Sequence, residues 1–284
     1  MKKLIIDVAN FIHRSNVGFL SEYSIVFNFF RSLKALTVQM KPDMIIFIRE
    51  GTPQARLEMS QEYKGNRKIK EDDPEYDTKV AAKLLFMNQA KMIYSLLEFF
   101  PCHVVKHPNH EADDIIGLLA KSTKEPDECV IVSNDSDFIQ LLSADNPTIQ
   151  IYNPMKKAFV DPPADYDYLV FKSLKGDSSD NIKGIPGVGT VKAEKLARIC
   201  RESYEQFIVQ LDKLSPDALS IFERNFDMIR LPNVDEIDHT ALMIQKGTQG
   251  WDTLKSQFET MNFQSILREW SMWYRPFLSL QVLK

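Results

Sequence analysis

Residues 128–137 read ECVIVSNDSD, a short apolar run followed at once by polar and acidic residues. The run from Val130 to Val132 is rich in β-branched residues, and such a continuous run is typical of a strand buried on both faces. Asp135 and Asp137 follow it directly. The segment therefore predicts a central strand that delivers two carboxylates at its carboxyl end.

Similar strand patterns occur through the first half of the chain, and helical patterns separate them. Leu4 to Ile6 precede Asp7, and Met44 to Ile48 precede Arg49 and Glu50. Further strands are predicted at residues 103–105 and 149–151, and helices at residues 24–38, 78–99 and 111–121. This alternation predicts an α/β fold with a mostly parallel central sheet. Ligands of such sheets collect at the carboxyl ends of the strands, where Asp7 and Asp135 would meet.

The second part of the chain has a different pattern. Strand signals stop near residue 165, and amphipathic helical patterns dominate from there to residue 284. We therefore predict an α/β core at residues 1–165 and a helical region at residues 166–284.

Composition places the chain among soluble cytoplasmic proteins. It has 284 residues, 44% hydrophobic and 26% charged, which suffices for one large core or two smaller ones. Asp7 interrupts the first apolar run too early for a signal peptide, and no segment approaches the ~20 apolar residues that span a membrane. Three widely spaced cysteines suit a reducing compartment. The expected location is the cytoplasm, with no membrane partner.

Eight acidic residues lie where the predicted fold would bring them to one edge: Asp7, Glu111, Asp113, Asp114, Asp135, Asp137, Asp177 and Asp180. Any one of these groups could be a helix cap or a solvated turn. Together the carboxylates repel one another and require cations, and oxygen ligands without His or Cys favour Mg²⁺ or Mn²⁺ over zinc. Two such ions can activate water and hold a phosphodiester for in-line displacement. Without these eight carboxylates, the net charge of −4 becomes +4, which allows a nucleic-acid partner.

Two segments predict contact with nucleic acid rather than a plain turn or a solvated surface. The glycine-rich turn at residues 184–189 opens a helix whose first N–H groups can meet a phosphate, which predicts a sequence-independent grip on duplex. The residues expected to serve this grip are Lys183, Gly187, Gly189, Lys192 and Lys195. In residues 63–70 an aromatic ring stands beside cations, a combination that suits single-stranded nucleic acid. These residues are Tyr63, Lys64, Arg67 and Lys68.

Five motifs occur in a fixed order: Asp7-x-x-Asn10-x-x-x-Arg14, Tyr63-Lys64-Gly65-Asn66-Arg67, Glu111-Ala112-Asp113-Asp114, Asp135-x-Asp137, and the run from Gly176 to Gly189. This series resembles that of the flap endonuclease and 5′–3′ exonuclease family, especially its bacteriophage members. The resemblance covers residues ~4–200 and implies a PIN-like α/β nuclease core with a helical arch at about residues 63–95. It also implies a helix-three-turn-helix motif at about residues 181–200 within the helical, DNA-binding region.

The resemblance also implies residue roles. A first metal site would comprise Asp7, Glu111, Asp113 and Asp135. A second metal site would comprise Asp137, Asp177 and Asp180, and Asp114 would support both sites. Lys64 and Arg67 would be catalytic residues on the arch, and Arg14 and Arg56 would contact DNA. The implied cofactors are two Mg²⁺ (or Mn²⁺) ions, with K⁺ as a further cation at the helix-three-turn-helix.

The implied activity is that of a structure-specific 5′-nuclease. Members of the family cut branched DNA near the junction of a 5′ single strand and duplex, degrade 5′ ends, and suit the removal of RNA primers in replication. The implied partners are branched or 5′-ended DNA, RNA/DNA hybrids, and a replication polymerase or single-strand-binding protein. The protein itself would be a monomer in the cytoplasm of a bacterium or of a phage-infected host.

One position departs from the family pattern. Counting back from Tyr63, the carboxylate expected at the end of the second core strand falls on Arg49, with Glu50 beside it. The first metal site is therefore either one carboxylate short or uses Glu50 as the substitute.

Two other functions remain open at this point. A PIN-type ribonuclease would share the sheet and have fewer carboxylates, but it does not call for the glycine-rich turn and its helix. A DNA-junction-binding protein, with cleavage weakened by Arg49, would keep both the sheet and the glycine-rich turn with its helix.

Overall fold

A seven-stranded sheet forms the centre of the computed structural model, which describes residues 1–16, 22–65, 72, 74–143 and 147–282. The strands of the described residues are β1 (Lys2–Asp7), β2 (Met44–Arg49), β3 (His103–Lys106), β4 (Glu128–Val132), β5 (Ile149–Asn153), β6 (Ala158–Phe159), β7 (Gly176–Asp177), β8 (Ile182–Lys183) and β9 (Met243–Lys246). The α-helices are α1 (Val8–Ser15), α2 (Ser24–Met40), α3 (Gln54–Met59), α4 (Tyr76–Leu96), α5 (Ala112–Lys121), α6 (Tyr168–Lys175), α7 (Thr190–Glu202), α8 (Tyr204–Asp212), α9 (Ala218–Ile229), α10 (Trp251–Thr260), α11 (Gln264–Leu267) and α12 (Trp270–Tyr274).

The sheet has the order β6-β5-β4-β1-β2-β3-β9. Strands β1 to β5 pair in parallel, and the two edge strands, β6 and β9, are antiparallel to their neighbours. Because β1 lies between β2 and β4, the carboxyl ends of these three strands meet at one edge, next to Asp7. This confirms the predicted mostly parallel sheet.

The central strands are buried on both faces, as their continuous apolar runs predicted. In β1, Leu4 and Ile6 pack in one hydrophobic cluster while Ile5 packs in another on the opposite face. Side chains alternate between the faces of a strand, so each face must be covered by apolar residues from elsewhere. Helix α5 covers one face, and α2 covers the other.

The end of the chain returns to this core. Strand β9 extends the sheet beside β3, Phe258 and Trp273 pack against Phe30 of α2, and Phe277 packs against Phe100. The predicted division at residue 165 therefore does not hold for residues 243–282, which belong to the α/β core. Strand β9 was missed because its sequence, MIQK, is a short and half-exposed edge segment without the apolar run of a central strand.

Helices α6 to α9 form a separate hydrophobic cluster, as predicted for the helical region. The hairpin of β7 and β8 lies between α6 and α7 and holds the turn that contains Asp177 and Asp180. Gly184 is required here, because a Cβ atom would lie 2.0 Å from the carbonyl oxygen of Lys175. No helix among the described residues is long and apolar enough to cross a membrane.

Candidate active site

The first carboxylate cluster lies at the carboxyl edge of the sheet and consists of Asp7, Glu50, Asp113 and Asp135. Asp7 is 8% exposed, and burial together with the neighbouring Glu50 raises its pKa to about 7. Burial, and then the charges of Asp135, Asp7 and Glu50, raise the pKa of Asp113 well above its usual value. Asp135 and Glu50 remain open to solvent on one side, yet crowding by protein atoms also raises their pKa values. Such a cluster stabilises a bound proton or cation.

Local backbone geometry holds two of these carboxylates in place. Asp7 caps α1 by accepting a hydrogen bond from the backbone N–H of Asn10 at 3.1 Å. Asp135 accepts one from the N–H of Asp137 at 2.9 Å, at the start of a 3₁₀ turn. Both bonds use Oδ1, and neither takes its carboxylate out of the cluster. The capping role and the cluster therefore coexist.

Arg56 holds the start of α5 in place through hydrogen bonds. Its guanidinium donates to both oxygens of Asp114 at 2.8 and 2.9 Å, to Glu111 at 3.0 Å and to the carbonyl of Met228 at 2.8 Å. Burial alone would raise the pKa of Asp114, but hydrogen bonds from His110 and Arg56 outweigh it and lower the pKa to about 2. Because Arg56 is 9% exposed and its donors are used internally, it does not present a DNA-contacting surface here, contrary to our expectation.

Tyr63 and Lys64 also point inward. The Tyr63 hydroxyl lies 2.9 Å from Glu111 and 3.0 Å from Asp180, so it links the start of α5 to the turn between β7 and β8. Lys64 Nζ lies 2.5 Å from Glu111 and 3.7 Å from Asp180, and its attraction to Glu111 outweighs burial and raises its pKa. The Tyr63 side chain is 6% exposed, so its ring is not available for the expected stacking on single-stranded nucleic acid. Lys64 does reach the cleft, as expected.

A second carboxylate cluster consists of Asp137, Asp177 and Asp180. One oxygen from each lies within 4.8 Å of the others, a spacing that suits ligands of a single metal ion. Lys172 of α6 is 8% exposed and pairs with both Asp137 and Asp177. Burial would raise the pKa of Asp177, but the hydrogen bond from Lys172 outweighs it and lowers the pKa. Sequence reasoning missed Lys172, because a lysine in the last turn of an amphipathic helix is usually solvated.

The two residues at the departure from the family pattern point to different places. The Arg49 guanidinium carbon lies 4.2 Å from the centroid of the Tyr94 ring in the last turns of α4. Glu50 instead faces the first cluster, and its Oε2 accepts a hydrogen bond from the backbone N–H of Ala112 at 3.0 Å. The start of α5 therefore holds Glu50 beside Asp7 and Asp113.

The predicted duplex-binding residues lie on an exposed surface formed by the end of β8, the following turn and the start of α7. Gly187 has a φ of +76°, a conformation that favours glycine. All the predicted residues of this surface are exposed: Lys183, Gly187, Gly189, Lys192 and Lys195. Arg14 is half-buried against the ring of Phe11, and its Nε and Nη1 have no hydrogen-bond partner within the part of the chain that the structure describes. Arg67 and Lys68 lie outside the described residues.

The mostly parallel sheet, with carboxylates gathered at its carboxyl edge, matches the PIN-like nuclease fold. Residues 2–167 match the family model described as 5′-3′ exonuclease, N-terminal resolvase-like domain, and the chain belongs to this family.

Its relatives differ in length. The chain is 30% identical over 269 residues to the thermostable DNA polymerase I of Thermus filiformis, a match that covers 87% of this chain and 30% of the polymerase. It is 30% identical over 210 residues to the 5′-3′ exonuclease of Mycoplasmopsis pulmonis, covering 69% of this chain and 65% of that protein. The chain thus spans less than two thirds of either relative.

The fold is shared with a flap endonuclease of bacteriophage T5, solved as a pseudo-enzyme-product complex with DNA and metal ions. The match has a TM-score of 0.65 at 20% identity and covers 95% of this chain and 100% of that chain. At this identity, the likeness concerns the fold.

Proposed function

We propose that the chain is a structure-specific 5′-nuclease, a flap endonuclease and 5′–3′ exonuclease that hydrolyses phosphodiester bonds near junctions of single strand and duplex. The observation that carries this proposal is the convergence of two carboxylate clusters at the carboxyl edge of the sheet. Family membership supports the same reaction class.

The donor set of both clusters fits divalent cations that prefer oxygen. Carboxylates alone form the clusters, which favours Mg²⁺, or Mn²⁺, over softer metals. We assign Asp7, Glu50, Asp113 and Asp135 to the first site, with Glu50 as the substitute for the carboxylate missing at position 49. Glu111, which was expected as a ligand of this site, instead accepts hydrogen bonds from Arg56, Tyr63 and Lys64. Asp137, Asp177 and Asp180 form the second. When bound, two such ions activate the attacking water and stabilise the charge on the phosphate.

The chain's own residues orient the carboxylates and the substrate. Glu111 and Asp114 are held by Arg56, which fixes the start of α5 and therefore the position of Asp113. Tyr63 joins Glu111 to the turn of the second cluster, so both clusters keep their spacing. Lys64, together with Arg67, supplies positive charge for the scissile phosphate, where such charge favours the transition state.

The exposed surface around Gly187 and α7 would hold the duplex. Its N–H groups and lysines suit phosphates of any sequence, as a helix-three-turn-helix with a bound K⁺ would. Branched or 5′-ended DNA and RNA/DNA hybrids are the proposed substrates, and RNA primer removal beside a replication polymerase or single-strand-binding protein is the proposed setting. We further propose that the nuclease acts as a monomer in the cytoplasm.

The test is cleavage of a duplex with a labelled 5′ flap in Mg²⁺, compared with the same duplex carrying a 3′ flap and with a single-stranded RNA. We expect cuts near the 5′ junction, with 5′-phosphate and 3′-hydroxyl ends, and no cuts in EDTA. Preference for single-stranded RNA would favour a PIN-type ribonuclease instead. Tight flap binding without cleavage in Mg²⁺ or Mn²⁺ would make the chain a junction-binding protein.

A further inference from the structure

Arg49 occupies an unusual place for a cation. It ends β2 at the carboxyl edge of the sheet, where its neighbour Ile48 pairs with Asp7 of β1. Within the described residues, Arg49 forms no ion pair with a carboxylate, although the first cluster lies beside it. Its guanidinium stacks on Tyr94 instead, 4.2 Å from the ring centroid.

We propose that Arg49, stacked on Tyr94, is a fixed phosphate-binding cation at the rim of the first carboxylate cluster. The ligand is a phosphodiester of the nucleic-acid backbone, next to the bond that is cut. This inference rests on the proposed function, because it assigns a contact to that function's substrate.

Arg49 lies over the Tyr94 ring and also hydrogen-bonds the Tyr94 side chain, which engages part of its five N–H donors and leaves the others for a ligand. A guanidinium stacks through its flat face, while its N–H donors lie in the plane and match the oxygens of a phosphate. A cation paired with a carboxylate would have to exchange that partner for the phosphate, whereas Arg49 would not.

Tyr94 makes the cation rigid. Its ring is partly buried against the large hydrophobic cluster that α2 and the end of the chain share, so it cannot move far. An arginine held against such a ring loses less conformational freedom when it binds a ligand. The position of Arg49 is therefore set before the substrate arrives.

Position 49 carries a cation and position 50 a carboxylate, so phosphate binding by Arg49 and metal binding by Glu50 can coexist. Glu50 faces Asp7 and Asp113 and is held there by the N–H of Ala112. The cluster thereby keeps a carboxylate from the end of β2, one residue later than the family pattern places it. Arg49 is then available for the substrate and does not remove a ligand from the cluster.

The test is equilibrium binding of a 5′-flapped duplex in EDTA at several salt concentrations, measured by fluorescence anisotropy. Arg49→Gln should weaken binding about tenfold at low salt and flatten the salt slope by about one unit, as expected for one lost phosphate contact. Arg49→Lys should keep the slope. Tyr94→Leu should weaken binding less than Arg49→Gln, and should add little in the double variant, because both changes affect one contact.

Lys246→Gln is the matched control. This exposed lysine pairs in register with His103, at the opposite end of β3 from the cleft, so binding should be unchanged. Wild-type affinity and slope in a folded Arg49→Gln variant would overturn the proposal, as would a change confined to the Mg²⁺ concentration needed for cleavage. If the wild-type protein neither bound nor cut flapped DNA, the proposed function itself would fail together with this contact.

Discussion

Replacing Arg56 with Ala should destabilise the protein more than it weakens DNA binding. The side chain joins three parts of the fold: α3, on which it lies, the start of α5 through Asp114 and Glu111, and the end of α9 through the carbonyl of Met228. The two carboxylates are 2% and 4% exposed. Removing Arg56 would leave the buried Asp114 without its closest cation and would leave Glu111 with Lys64 as its cation.

The expected loss in the free energy of unfolding is about 3–5 kcal/mol at neutral pH, the usual cost of removing one partner of a buried ion pair. The pH dependence follows from Asp114. Its pKa in the folded protein, about 2, lies below the ordinary value of 3.8, so its stabilising effect is present above that value and is lost as pH falls toward 2. The Arg56→Ala variant should lose part of this acid-side dependence.

Urea unfolding followed by circular dichroism measures the effect as a lower midpoint with an unchanged slope. Arg31→Ala is the control, because Arg31 is exposed on α2 and its removal should change stability by about 0.5 kcal/mol at most. A loss below about 1 kcal/mol combined with clearly weaker duplex binding would show that Arg56 faces DNA rather than the interior.

The charges of the site and of the duplex-binding surface lead to three further predictions. Lys172→Met should lower the melting temperature in EDTA and enlarge its rise on adding Mg²⁺, because Asp177 loses its cation. Lys175→Met, at an exposed lysine, is the control, and a Mg²⁺-induced rise in calorimetry that is the same in Lys172→Met and in the wild-type protein would contradict this role of Lys172. Changing Lys192 and Lys195 to Ala should flatten the salt dependence of duplex binding by about one slope unit per lost contact, and an unaltered slope in anisotropy titrations would place α7 away from DNA. Because the pKa of Asp7 is raised to about 7, the stability of the metal-free protein should fall as pH rises from about 4 through 7. The affinity for Mg²⁺, measured by calorimetry, should rise over the upper part of that range. Stability and affinity that did not change with pH would count against the coupled cluster.

The sequence predicted the sheet and the position of its acidic residues because both depend on local patterns. Continuous apolar runs identified β1, β2 and β4, and the geometry of parallel strands places the residues after each strand at one edge. The helix start at Glu111 to Asp114 was predictable for a similar reason, since an acidic helix start before an apolar face fixes which way the helix packs, while the metal-binding roles of these residues stay predictions.

Contacts between distant segments were not predictable in this way. Whether Arg56 faces DNA or the interior depends on the carbonyl of Met228, 172 residues later. Tyr63 is buried because the turn containing Asp180 folds back against it, and Lys172 is buried because α6 packs beside Asp137. In each case the local pattern, a basic or aromatic residue in a polar segment, is equally compatible with a solvated surface.

The most direct test of the account compares cleavage and binding in Asp135→Asn and Asp177→Asn, one variant for each carboxylate cluster. Single-turnover cleavage of a 5′-flapped duplex in Mg²⁺ should be lost in both variants, because each removes a charge that holds a catalytic ion. Binding of the same duplex in EDTA should stay close to that of the wild-type protein, because neither residue grips the DNA. Substantial cleavage by either variant would contradict the assignment of its cluster to the metal centre.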